Sequence, residues 1–172
     1  MSNAVSDSSP LIHLAAIGRL SLLRDYYHSI IIPTAVWREV VEQGGDREGA
    51  KEIKNARDEG WITVVSPKNA ALIKALLQDL HEGEAESIAL AIELPAGIII
   101  LDETEARRSA EQHGLLVIGI IGILLQAKAD GKIRSMRAEL DRLRKTGNFW
   151  ISKSLYQMIL AAAGENIMKG TG

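Results

Sequence analysis

GIIILDETEARRSAE, residues 97–111, decides the fold class. Residues 97–101 form a short run dominated by β-branched isoleucine, which reads as a buried strand. Asp102 closes the run, and residues 103–113 continue at helical spacing. Toward the C-terminus the alternation repeats, with LLVIG (115–119) as a strand and 120–129 as a helix. Toward the N-terminus, helices are predicted at 69–77 and 83–94, and WITVV (61–65) reads as an edge strand or flap. Further back, SIII (29–32) is a strand, Pro33 opens a helix to 41, and a charged helix runs over 47–59 after the Gly44-Gly45 turn. A first strand ends at Asp7. Ser9 and Pro10 start the helix carrying Leu11, Leu14, Ala15 and Ile17, and a second helix covers 20–27. Residues 133–146 and 152–163 read as an antiparallel helix pair turning at Gly147-Asn148. Strands alternating with helices predict an α/β fold with a central, mainly parallel sheet flanked by helices in three layers, and a C-terminal helix pair. A single domain over 1–164 is expected, with 165–172 as a flexible tail.

Bulk properties narrow the function. A chain of 172 residues is large enough for a substantial core. The absence of cysteine excludes a disulfide framework and thiolate metal sites, and fits a reducing cytoplasm. No basic-then-apolar leader opens the sequence. The longest apolar stretch, 115–127, is interrupted by Gly119, Gly122 and Gln126 and is too short for a bilayer. A net charge of −2 argues against a protein that coats nucleic acid by charge alone. Residues 128–145 nevertheless carry seven basic and three acidic residues, which reads as a solvated helix face or a phosphate-contacting rim.

The chemistry points to four acids: Asp7, Glu39, Glu84 and Asp102. A helix over 84–94 advances about 15 Å, and a strand over 97–101 returns roughly the same distance. Glu84 and Asp102 therefore belong at one edge of the sheet. Asp7 reaches that edge if its strand is a neighbour. Glu39, two turns into the helix after 30–32, leans over from one side. Carboxylates brought this close stay ionised only around a positive charge. Oxygen-only ligands favour magnesium or manganese, and clustered acids with such an ion suit in-line hydrolysis of a phosphodiester.

Each acid also has an ordinary explanation. Asp102 and Glu105 have capping-box spacing for the helix at 103–113. Glu84 complements a helix dipole, Asp7 satisfies turn amides before Pro10, and Glu39 sits on a solvated face. Their joint arrangement favours the functional reading.

VSDSSPLIHLAAIGRL near the start, IIIPTAVWREV, GEAESIALAIEL and GIIILDETEARRSAE occur in this order. Together they resemble the PIN-domain superfamily, in particular the prokaryotic PIN-like group related to VapC toxin ribonucleases. The resemblance covers roughly 5–128. It implies a PIN-like three-layer fold, an acidic pocket binding Mg²⁺ or Mn²⁺, and cleavage of single-stranded RNA. It also implies a cognate antitoxin and a homodimer. By motif, Asp7, Glu39, Glu84 and Asp102 take the catalytic and metal-binding places, with Ser8 in support and Glu103 as an additional metal candidate. Three positions depart from the pattern. Glu84 stands where many members have aspartate, Leu101 where active members often carry a small polar residue, and Ile120 where threonine or another polar residue is expected.

Other constellations are weaker. The four histidines lack metal-ligand spacing, HEGEA (81–85) lacks the second histidine of a zinc protease, and Gly119-Ile120-Ile121-Gly122 is no phosphate loop. Arg107 is expected to pair with Glu103, four residues before it. Trp37, Trp61 and Trp150 read as covers of apolar surface rather than base-stacking groups. The competing functions are a catalytically silent PIN-like module that binds RNA or protein, and a receiver-like or phosphatase domain. The latter is disfavoured by the absence of an Asp-x-Asp nucleophile motif.

Overall fold

Both all-isoleucine runs, 30–32 and 98–100, become interior strands, where a side chain on either face meets other apolar groups. The structure, a computed structural model, describes residues 1–47, 49–147 and 149–165. Five strands form one sheet: β1 (Ala4–Ser6), β2 (Ile30–Pro33), β3 (Ile62–Val65), β4 (Ile98–Ile100) and β5 (Leu116–Ile118). Every pairing is parallel and the order is β3-β2-β1-β4-β5. The α/β class thus holds, with a sheet that is parallel throughout.

The strand order reverses at β1. Connections run outward through β2 and β3 on one side, then return to place β4 and β5 on the other. Such a reversal opens a crevice beyond the carboxyl ends of the two strands where it occurs. Here those strands are β1 and β4, registered Val5 to Ile99 and Ser6 to Ile100.

The chain divides into two compact units, Met1–Ile120 and Ile121–Gly172. All five strands lie in the first. Its helices are α1 (Ser8–Ala16), α2 (Ser21–Tyr26), α3 (Thr34–Trp37), α4 (Ala50–Asp58), α5 (Ala70–Leu76), α6 (Glu82–Glu93) and α7 (Thr104–Gln112). Helix α6 packs on β1, β2 and β4. Its Ala85, Ala89 and Ala91 have no bulk to hold it off the sheet, and all three are buried. Ile88 and Leu90 join Val5, Ile99, Leu101 and Ala106 in the apolar cluster.

Helix α8 (Ile120–Ala129) leads out of the first unit, and the second contains α9 (Met136–Gly147) and α10 (Lys153–Ala162). The expected C-terminal pair is present: α9 and α10 pack together, and Tyr156 donates to Asp141 at 2.9 Å. Glu165 accepts the N–H groups of Met136 and Arg137 and pairs with Lys128 at 3.6 Å. It thereby caps the α9 N-terminus from outside the helix. The turn residue Asn148 and the expected tail from 166 onward lie outside the described residues. Among the described residues no helix is long and apolar enough to cross a membrane.

Some boundaries move for local reasons. Pro33 does not open a helix: with φ −73° and ψ 162° it remains extended and pairs with Val65 as the last residue of β2. The charged helix starts at Ala50 rather than at 47, because Gly49 has φ +95°, outside the helical region. WITVV becomes the edge strand β3. Trp150, expected to cover apolar surface, is 83% exposed.

Ile99 is fully buried at the centre of the sheet, whereas Leu116 on edge strand β5 is 60% exposed. Ile99→Ala is expected to cost about 2–5 kcal/mol in urea unfolding. Leu116→Ala should cost less than about 1 kcal/mol.

Candidate functional site

Asp7 is the residue after β1, and its backbone N–H donates to Ile100 O at 3.2 Å. This bond holds the end of β1 level with the end of β4, so that Asp7 and Asp102 emerge into the same crevice. The side chain of Asp7 is only 5% exposed. Burial is the main cause that raises its pKa to about 7, partly offset by the Ser8 amide. The negative charges of Glu84, Glu39 and Asp102 push it in the same upward direction. The other three predicted acids therefore lie within electrostatic reach of Asp7.

Glu39 reaches the cluster from a helical segment with unusual winding. Helix α3 continues into a π-helical turn at Arg38–Glu42, where Gln43 N–H donates to Arg38 O at 2.8 Å. Such a turn carries one more residue than an α-helical one, and it is a frequent device for redirecting a side chain at a site. Glu39 is exposed, but its Oε2 accepts the Ser8 hydroxyl at 2.7 Å. Ser8 itself is 3% exposed. The supporting role expected for it takes the form of this hydrogen bond.

Glu84 opens α6 and is buried; its Oε2 accepts the backbone N–H of His81 at 3.1 Å. The helix-start explanation of Glu84 is thus correct, and its charge acts on Asp7 as well. Gly83 explains how they come together. A Cβ there would lie 3.0 Å from Asp7 Oδ1 and 3.2 Å from Glu39 Oε2. Any side chain at 83 would crowd the two carboxylates.

Asp102 does not cap the helix that follows it. That helix begins at Thr104 with Glu103 in the capping position, and Glu103 makes no side-chain cap. Instead Asp102 Oδ1 accepts the backbone N–H of Ile120 at 3.1 Å, at the start of α8. Its other oxygen, Oδ2, is buried without a hydrogen-bond partner. Burial is again the largest cause of a pKa raised to about 6; the Ile120 amide and Arg107 lower it, and Glu103 raises it. Glu103 is exposed beside the cluster.

Arg107 was expected to pair with Glu103, but its Nη1 donates to Leu101 O at 2.8 Å. That position sets a cation beside Asp102. Gly119 makes room for both groups: a Cβ there would lie 2.7 Å from Arg107 Nη1 and 3.1 Å from Asp102 Oδ1. Gly83, Gly119 and the role of Arg107 were missed in the sequence. The available signal was a glycine in the first turn of a helix and another just before one, where propensity offers no reason for them.

The donor set consists of carboxylate oxygens, which suits magnesium or manganese. The partnerless Asp102 Oδ2 and the raised pKa values of Asp7 and Asp102 are what a cation would relieve. Among the described residues no group of three acids or histidines is already arranged to hold a metal ion. The Glu84 and Asp102 oxygens are turned instead toward the His81 and Ile120 amides. A cleft of about 450 Å³ adjoins the cluster, lined by Ala35, Arg38, Glu39, Gln43, His81, Glu82 and Gly83. Arg38 pairs there with Glu82 at 3.1 Å.

Residues 3–165 match the family DUF3368, described as a PIN domain. A similar solved structure is that of a PilT N-terminus domain protein, SSO1118, from the hyperthermophilic archaeon Sulfolobus solfataricus P2. The TM-score is 0.52 at 24% identity, covering 73% of this chain and 92% of that one. At that identity the likeness bears on the fold alone. No curated protein matches.

Raised carboxylate pKa values make the metal-free protein lose stability as pH rises from the unfolded value, 3.8, through about 7 for Asp7 and about 6 for Asp102. For Asp7 alone, linkage gives a loss of roughly 4 kcal/mol across that window. In EDTA, Tm should therefore fall between about pH 5 and about pH 8. Asp7→Asn should flatten that fall and raise Tm at the alkaline end, as read by calorimetry.

Proposed function

We propose that this chain, which belongs to the PIN-domain family, is a metal-dependent endoribonuclease that hydrolyses phosphodiester bonds of single-stranded RNA. PIN domains are in general nucleases. The observation that carries the proposal is a buried Asp7 under the combined charge of Glu39, Glu84 and Asp102, together with a partnerless Asp102 Oδ2.

Asp7, Glu39, Glu84 and Asp102 would hold Mg²⁺ or Mn²⁺, with Glu103 as an outer candidate. A bound ion of this kind acidifies water and offsets the charge developing on phosphate. The remaining work falls to the protein's own groups. Ser8 fixes the Glu39 carboxylate. The Ile120 amide fixes one oxygen of Asp102 and leaves the other without a hydrogen-bond partner. Arg107 clamps the Leu101 carbonyl and offsets part of the negative charge near Asp102. Arg38, which lines the adjoining cleft and pairs with Glu82, would meet a phosphate of the incoming strand on releasing that glutamate.

The biological setting proposed is a cytoplasmic toxin of a toxin–antitoxin pair, acting as a homodimer held in check by a cognate protein. It rests on the resemblance of the four motifs. A catalytically silent module that binds RNA or protein is the second reading. What favours it is that Glu84 and Asp102 direct oxygens to backbone amides, with no three acids gathered for an ion among the described residues.

Cleavage of a single-stranded RNA with Mn²⁺ separates the two. Asp7→Asn and Asp102→Asn should each lower the rate by about 10²-fold or more, and EDTA should abolish it. Metal-dependent cleavage surviving both substitutions would sink the mechanism. Calorimetry without heat at millimolar Mn²⁺ would favour the silent reading. For Glu84→Gln, a smaller loss of rate is expected together with weaker Mn²⁺ binding, because a neutral amide oxygen still accepts the His81 N–H.

A further inference from the structure

Trp150 is 83% exposed, unusual for the largest and most water-averse ring in the sequence. It lines a shallow cavity of about 390 Å³ with Arg144, Phe149 and Ile151. The Arg144 guanidinium stacks over the Tyr156 ring at 4.2 Å, and Arg137 lies over the same ring at 6.0 Å. These residues come from α9, the segment leading to α10, and α10 itself, all within the second unit.

Charge identifies what would cover this face. Residues 121–172 sum to +5 although the whole chain is −2. The acids of that segment are engaged within it. Asp141 accepts from Tyr156, Glu139 pairs with Arg142, Glu165 with Lys128, and Asp130 accepts from Gln126. A second copy stacked on this surface would set one net-positive segment against another. A polyanion carrying flat rings matches both the charge and the exposed indole, and such rings are open for stacking only in an unpaired strand.

We propose that Trp150 is a base-stacking platform for single-stranded RNA, with Arg144 of the same cavity, and Arg137 over the same Tyr156 ring, contacting the phosphates. It is a binding site additional to the acidic cluster. Its ligand class rests on the nuclease reading above, and its position rests on the exposed ring and the arginines.

The test is fluorescence anisotropy of a labelled oligouridine of about 12 nucleotides, titrated with the full chain in EDTA so that no cleavage intervenes. Trp150→Ala should weaken binding about tenfold, while Trp150→Tyr, which keeps a stacking face, should stay within about threefold of wild type. Arg144→Gln should weaken binding and make the salt dependence shallower by about 0.7 in the log–log slope. A duplex of the same length should be indifferent to Trp150→Ala. The inference is overturned if the oligonucleotide does not bind, or if Trp150→Ala binds within about twofold of wild type. It is overturned equally if light scattering shows Trp150→Ala splitting an oligomer, since the ring would then belong to an interface between copies. Trp150-dependent binding without Mn²⁺-dependent cleavage would leave this site standing and remove the nuclease reading. Cleavage that ignores Trp150 would do the reverse.

Discussion

Burial of a carboxylate at the end of a central strand is the constraint around which the first unit is organised. Asp7 loses its hydration and gains three negative neighbours, so the fold must hold it in place against both effects. The force that does so is ordinary packing. Alanine-rich α6 lies close on β1, β2 and β4, and β1 is bonded on both sides. Strain of this sort is common at functional sites, where stability is given up to keep charged groups poised. A stability optimum would neutralise Asp7; the sequence instead surrounds it with acids.

The strand order explains why that strain is local. At a reversal point the segments leaving the two neighbouring strand ends diverge, which opens the crevice beyond β1 and β4. Small residues at its borders leave room there for the carboxylates. Gly83 and Gly119 stand on either side, one against Asp7 and Glu39, the other against Asp102 and Arg107. The two glycines do for the space what the strand order does for the backbone.

Strands 29–32, 97–101 and 115–119, and the helix at 120–129, were legible because isoleucine runs and helical periodicity are local signals. The convergence of Glu84 with Asp102 followed from element lengths. What the residues alone did not carry was the position of β1 between β2 and β4, which is a long-range pairing. Nor did they carry the π-turn at Arg38–Glu42, since one extra residue per turn leaves no compositional trace. Arg107 misled for a related reason. Helical spacing offers Glu103 as a partner, but the Leu101 carbonyl is brought within reach only by the tertiary fold. Trp150 misled because the apolar character of a residue does not reveal whether anything covers it.

The three departures from the family pattern share one explanation. A glutamate at 84 is longer than the usual aspartate, and that length is used in a bond back to the His81 amide, as glutamate does at the third position of a helix. Ile120 brings no polar side chain, yet its backbone N–H bonds Asp102 directly. Leu101 buries its side chain in the apolar cluster while its carbonyl receives Arg107. At 84 the partner is a main-chain amide, and at 101 and 120 the residue's own main chain makes the contact. Main-chain groups cannot rotate away as a hydroxyl can, so Asp102 and Glu84 are held more firmly than threonine or a small polar side chain would hold them. The consequence bears on metal affinity. An ion drawing these carboxylates together must compete with fixed amides, so the site should favour an ion that retains several waters over one demanding a complete protein cage.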